Sequence, residues 1–426
     1  MIFWRNKSIL VVTATFFLFL FLHSQDLFSA TWKANAVRIS DNDGSTSIVT
    51  RGKGWCVAAR HDTIHVVWFD YMYGSDYEII YDRSTDRGST WDSKIRISST
   101  SYNSRHPSIA ISNEYVYIVW QECEGNDYEI FYRYSNNYGA SGSWQTIQNI
   151  TNDNDDQLFP VVKAKDPYVH VVYQDSVSSS DIDIKYLRSQ NNGSTWDAEY
   201  TVRNTSEKSR RPCISSSGSK LDVTWDEHDV TNNDDDVFHV RNTNNGGSRN
   251  WGSIHNVTSD DNNNQYSASV TALATTSPEY LHVAYTTEES GTHTDIYYKR
   301  STNGGTSWST AQDIDAEGST DAGQGNVSLA SQDCYVNAVW EDSGHGSTAH
   351  TEIVYNYSQN NGSSWNSSQE NVSKQTGAWY SLNPSIAATR KVSPPSALDR
   401  YLQVVWKDNR NTTYEVYWNE GTYDNS

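Results

Sequence analysis

The sequence predicts an all-β fold, a seven-bladed β-propeller of four-stranded antiparallel blades, and three observations predict it. An eight-residue turn ending in Trp recurs along the chain. A β-like run ending in an aromatic residue recurs between those turns, at a spacing of roughly 50–60 residues, close to the length of a propeller blade. The first unit supplies a single strand, and the last unit lacks one.

The turn is clearest at Ser84-Thr85-Asp86-Arg87-Gly88-Ser89-Thr90-Trp91. Ser84 and Asp86 have short polar side chains suited to bonding the turn's own N–H groups, and Gly88 suits a backbone with positive φ. Trp91 offers a wide apolar surface and is expected to open the next strand. The pattern returns as Ser189, Asn191, Gly193 and Trp196, then as Ser301, Asn303, Gly305 and Trp308, and again as Ser358, Asn360, Gly362 and Trp365. Two looser copies run from Ser135 to Trp144 and from Asn242 to Trp251.

The second series is IHVVW ending at Trp68, then runs ending at Trp120, Tyr173, Trp225, Tyr285, Trp340 and Trp406. A third run of the type Glu-Ile-x-Tyr usually follows, as at Glu78–Tyr81 and Glu352–Tyr355. A fourth precedes the second, often after Pro, as at Pro107, Pro160, Pro212 and Pro384. Short β-rich runs separated by turn residues, with no helical period, give four strands per unit. The strand from Trp32 to Ser40 precedes any complete unit, and the last unit ends at Trp418 without its fourth strand. Pairing the two completes the seventh blade and removes both exposed edges.

Residues 1–30 read as a signal peptide or N-terminal anchor: Arg5 and Lys7 lead into an apolar run from Ile9 to Leu22, followed by polar residues. Residues 31–426 form the single propeller domain. A secreted or cell-surface location follows, and ten Asn-x-Ser/Thr triplets beyond the leader agree with a glycoprotein. The four cysteines allow three pairings, none favoured by spacing. A formal charge of −20 disfavours nucleic acid as a partner, and disfavours any membrane contact beyond the N-terminal segment.

In an antiparallel meander the Trp turns lie at one end of the blades, and the second-to-third and fourth-to-first connections lie at the other. Function in such a ring belongs on the variable loops at one mouth. Those loops carry Arg105, His106, Glu122, Arg210, Arg211, His228, Tyr266, Trp379 and Tyr380, each seemingly confined to one blade. Aromatic rings stack on sugar faces, acids and amides bond hydroxyls, and Arg forks onto a carboxylate, so this mixture suits glycans. Acids that recur after the aromatic run, such as Asp70, Asp175, Asp342 and Asp408, read as structural. No cofactor is expected. Asp41–Gly44, Asp153–Asp156 and Asp260–Asn263 are the candidate Ca²⁺ loops, none with a full ligand pattern.

With these turns and strand ends, the chain resembles the sialidase-like superfamily, specifically Asp-box (BNR-repeat) propellers. Asn137, Asn191, Asn244, Asn303 and Asn360 stand where the first copy has Asp86. Sialidases of that superfamily hold a carboxylate with three Arg and use a Tyr–Glu nucleophile and an Asp acid/base. The resemblance implies Arg105 and Arg211 as carboxylate clamps, since each lies just ahead of a Pro that starts an inner strand. The superfamily's enzymes have six blades, and seven are counted here. No Tyr–Glu pair or third Arg can be placed by motif. The sequence therefore reads first as recognition of glycans or extracellular proteins without turnover. The alternatives are an exo-sialidase-like glycoside hydrolase and a polysaccharide lyase using His106 with Tyr380.

Overall fold

The computed structural model describes residues 30–423 except 42–45, 50–54, 72–73, 75, 126, 230–233, 248–249, 260–262, 274–278, 291–292, 316–322, 345–349, 375–378 and 391–399. The N-terminal apolar run and two of the candidate Ca²⁺ loops, at Asn42–Gly44 and Asp260–Asn262, thus fall wholly or largely outside the described residues. Among those described, no helix is long and apolar enough to cross a membrane. No disulfide joins any of the four cysteines.

Seven antiparallel sheets form the propeller, six of them ordered from an inner to an outer strand along the chain and the seventh taking its outer strand from the N-terminal segment. Blade 1 comprises Val57–Arg60, Thr63–Asp70, Glu78–Ser84 and Ile95–Arg96. The inner strands of blades 2 to 7 are Ser104–Ser112, Asp156–Lys165, Ser209–Ser217, Asn264–Leu273, Gln324–Gln332 and Ser381–Arg390. Blade 7 is closed as the sequence requires: Thr31 and Trp32 pair with Thr422 and Gly421, and Val37 and Arg38 pair with Trp418 and Tyr417.

The second strand of each blade is apolar at successive positions because neighbouring blades cover both of its faces. Trp68, Trp120, Trp225, Trp340 and Trp406 are fully buried there. The outer strands depart from expectation. They are only two to four residues long, and in six blades they begin several residues after the Trp. The Trp is a wedge between blades instead. Each of the seven meets a third-strand ring of the preceding blade edge to face, as Tyr81 meets Trp144 (4.9 Å, 70°), Tyr132 meets Trp196 (5.0 Å, 87°) and His239 meets Trp308 (5.4 Å, 81°). Trp32 makes the same joint with Tyr355 (5.1 Å, 76°), so the chain's first strand closes the ring by packing as well as by pairing.

The turns themselves are built by short-range bonds. Ser84 Oγ accepts from the Gly88 N–H (2.7 Å) and donates to Asp86 Oδ1 (2.8 Å), which also accepts from the Thr90 N–H (2.8 Å). Asn191, Asn303 and Asn360 repeat this through their amide oxygen, so Asn replaces Asp without loss of the acceptor. The bonds from Thr90 hold the exposed Asp86 carboxyl down at about 2.

Candidate functional site at the channel mouth

The mouth opposite the Trp turns is formed by the loops that enter the inner strands and by the second-to-third hairpins. Each of the inner strands of blades 2 to 7 enters through a β-bulge, at Arg105/Ser108, Leu158/Val161, Arg210/Cys213, Tyr266/Ser269, Gly325/Ser328 and Leu382/Ser385. One residue in each bulge is left-handed: His106, Phe159, Arg211, Ser267, Asn326 and Asn383, with φ between 51° and 58°. The bulge re-aims the side chain next to it. In four of the six its N–H is met by the side chain of the residue following the aromatic of the preceding blade's second strand. Phe159 donates to Gln121 (2.9 Å), Arg211 to Gln174 (3.2 Å) and Ser267 to Asp226 (3.0 Å). Four of these residues precede Pro, a position that normally favours extended backbone, and the bulge was not legible for that reason.

The acids two positions beyond the aromatic are structural fittings. Glu227 accepts from Trp225 Nε1 (3.0 Å) and Ser209 (2.9 Å), and Asp408 from Trp406 Nε1 (3.2 Å) and Ser381 (2.8 Å). Glu122 does the same with Trp120 (2.9 Å) and Ser104 (2.7 Å) and is buried, so it repeats across blades and is not peculiar to one.

Arg105 and His106 enter a cluster of rings between blades 1 and 3. The Arg105 guanidinium lies 4.6 Å over the Tyr77 ring, and among the described residues it makes no ion pair. Tyr77 contacts Tyr71 (4.0 Å) and Phe69 (5.2 Å), and His106 contacts Phe69 (5.7 Å) and Phe159 (4.7 Å). Burial raises the Tyr77 phenol, with Arg105 pulling the other way, so it stays protonated at neutral pH. Phe69, Tyr71, Tyr77 and Phe159 were not singled out as site residues from sequence. Phe69, Tyr71 and Phe159 belong by sequence to the mouth loops, and Tyr77 to the start of a third-strand run.

Arg210 and Arg211 sit in blade 4 and are already answered. Arg210 pairs with Asp235 (2.6 Å), which His228 also approaches (3.3 Å), and Arg211 pairs with the buried Asp226 (2.5 Å) beside Tyr266, whose ring lies 5.3 Å beneath the guanidinium. Trp379 is half-buried and Tyr380 exposed at the start of blade 7, where the Tyr380 N–H donates to Asn409 (2.7 Å). His106 and Tyr380 thus belong to blades 2 and 7, in different surroundings.

Farther out on the same face, a groove of about 540 Å³ between blades 6 and 7 gathers Arg38, Lys374, Arg410, Asn411 and Tyr417. Arg410 stacks on Tyr417 at 4.1 Å and is held by Asp408 at 2.8 Å. In the remaining acid-rich loop, carboxylate oxygens of Asp153, Asp155 and Asp175 lie within 4.8 Å of one another. Lys185 answers Asp175 at 3.2 Å, and Gln157 donates to Asp153 and, at 3.1 Å, to Asp175.

No protein-family model matches the chain, and no curated protein does. Solved structures do. A PL25 ulvan lyase superposes with TM-score 0.56 at 11% identity over 88% of this chain and 93% of its own, and one structure of it is bound to -[GlcA(1-4)Rha3S]-. The polysaccharide lyase Uly1 gives 0.57 at 8% identity over 88% and 90%. A Trypanosoma rangeli sialidase gives 0.47 at 12% over 92% and 59%. At these identities the likeness is one of fold.

Proposed function

We propose that the protein is an exported propeller that binds acidic glycans on the mouth face, without turning them over. The observation that carries this reading is Arg105. It is a guanidinium with no ion-pair partner among the described residues, laid on Tyr77 beside Tyr71, Phe69, His106 and Phe159. The exposed ring of Tyr71 takes the apolar face of a pyranose, with buried Phe69 backing the shelf, and the fork of Arg105 takes a carboxylate or sulfate. Arg38 and Lys374 in the groove on the same face give a chain longer than one sugar a second cationic foothold. The superposed lyase bound to a glucuronate and a sulfated rhamnose supports the choice of an acidic polysaccharide.

The test is binding of uronate-containing and sulfated polysaccharides by calorimetry. A charge-assisted bond contributes roughly 1.5–3 kcal/mol, so Arg105→Ala weakens binding about 10- to 100-fold. Affinity unchanged by Arg105→Ala, or no binding to any acidic glycan, overturns the reading.

A second reading, a lyase, is favoured by His106 standing on the same shelf as Arg105. Arg105 would neutralise a uronate carboxylate while the imidazole of His106 takes the proton from the carbon that bears it; a ring C=C bond would form as the adjacent C–O bond breaks, the glycosidic oxygen leaving with a proton from solvent and the remaining sugar unsaturated. Ultraviolet-absorbing product, lost in His106→Ala, would replace binding alone with catalysis. For the sialidase reading, Asp226 and Asp235 already occupy Arg211 and Arg210.

A further inference from the structure

The inner strands of the seven blades present one residue each at the same register position. Ala58 lies across from His65, Ala110 from Tyr117, Ser215 from Asp222, Thr271 from His282, Ala330 from Asn337 and Ala387 from Gln403. Six of the seven are therefore small. In blade 3 the position is Lys163, across from His170. A second departure from the repeat stands in blade 1. The residue that is Pro107, Pro160, Pro212, Ala268, Val327 or Pro384 elsewhere is Trp55.

The two departures meet. Lys163 Nζ lies 4.2 Å over the Trp55 ring, and both line a cavity of about 180 Å³ on the channel axis. Trp55, though part of blade 1, packs with Val161, Cys213 and Ala268 of blades 3 to 5, so it spans the channel. Five of the six small equivalents of Lys163 line the same cavity, and the wall carries no acidic residue. Thr271 and Ser331 add hydroxyls to it, 2.7 Å apart. Burial lowers the Lys163 ammonium below its usual range, with the Cys213 thiol acting in the opposite sense. Among the described residues no carboxylate pairs with it.

Lys163 is half-buried in the channel wall, and an ammonium steadied there by an aromatic face lacks only a counter-ion. We propose that Lys163, Trp55 and the Thr271–Ser331 hydroxyls form a binding site on the channel axis for a small oxyanion, a carboxylate or an inorganic phosphate. This proposal does not depend on the glycan reading, because the site lies below the bulge ring and uses none of its residues.

Trace acetylation with peptide mass spectrometry tests it in the full exported chain, with Lys165 as the internal reference, since Lys165 is exposed two residues away. Saturating phosphate or acetate at constant ionic strength is expected to slow modification of Lys163 at least about threefold relative to Lys165, and to raise the thermal midpoint of the wild type. Lys163→Met keeps the fold and loses that rise, and Trp55→Leu lessens it. Protection by phosphate alone or acetate alone identifies which oxyanion fits. Equal slowing of both lysines, or none, overturns the proposal on the wild-type protein alone, whether or not the variants fold.

Discussion

Glycine in each repeat turn is demanded from outside the turn. At Gly193 φ is 82°, and an added Cβ would overlap the Tyr132 hydroxyl of the preceding blade. Gly139, Gly246 and Gly362 face Tyr81, Tyr186 and Tyr298 in the same way, and Gly305 faces His239. Gly193→Ala thus meets both backbone strain and overpacking, and is expected to lower stability by about 2–4 kcal/mol in urea unfolding. The turn was legible because its bonds are local in sequence. The ring that excludes Cβ was not, since it comes from another blade. The third-strand rings are in turn held by second-strand partners: His65 bonds Tyr81 (2.7 Å), His170 bonds Tyr186 (2.8 Å) and His282 bonds Tyr298 (2.6 Å). Burial lowers these three imidazoles to about 3. In the unfolded chain they take a proton near pH 6.5, so between about 6.5 and 3 the unfolded state binds more protons. Their contribution is complete above about pH 6.5 and is lost as pH falls. Asp82, raised to about 7 by burial, works in the opposite sense, losing stability as pH rises from about 4. Blade 6 uses Asn337 with Tyr355 (2.9 Å) where blade 5 uses His282. His282→Asn should therefore narrow the stability gap to wild type by roughly 2 kcal/mol between pH 7 and 4.5, read from urea midpoints.

Among elements, the strand at Thr31–Trp32 and Val37–Arg38 carries the closure. It is short, so its hold depends on side chains: Trp32 is 6% exposed and meets Tyr355, and Ser40 Oγ accepts from the Val416 N–H (2.9 Å). Trp32→Ala is expected to cost about 3–5 kcal/mol and to speed amide hydrogen exchange across residues 416–421. Trp196→Ala, at an interior joint, should destabilise comparably and leave that seam protected. Unchanged exchange at the seam in Trp32→Ala would mean that pairing alone holds it. Strand number and blade closure were readable from period and aromatic spacing. Two features were not. The outer strands start beyond the Trp because the indole is spent between blades, and the third strand of blade 4, Asp234–Asn242, departs from the Glu-Ile-x-Tyr pattern because His239 stands where other blades have Tyr or Trp.

At the scale of the whole molecule, seven near-equal blades make departures informative. Loops could be assigned to the correct mouth from sequence, because strand alternation alone fixes the ends. Which side chains would meet there could not, because the bulges at His106 and Arg211 decide it, and no pattern of residue types announces a left-handed residue before Pro. Glu122 is not singular to its blade: Asp70, Glu227 and Asp408 stand at the same position, and all four accept from the Trp two residues before. The seam has a last geometric outcome. Thr31 and Thr422 sit side by side at the end of blade 7 that carries the Trp turns. The paired ends at Thr31 and Thr422 therefore lie on the face of the disc opposite the one that carries Arg105 and its shelf.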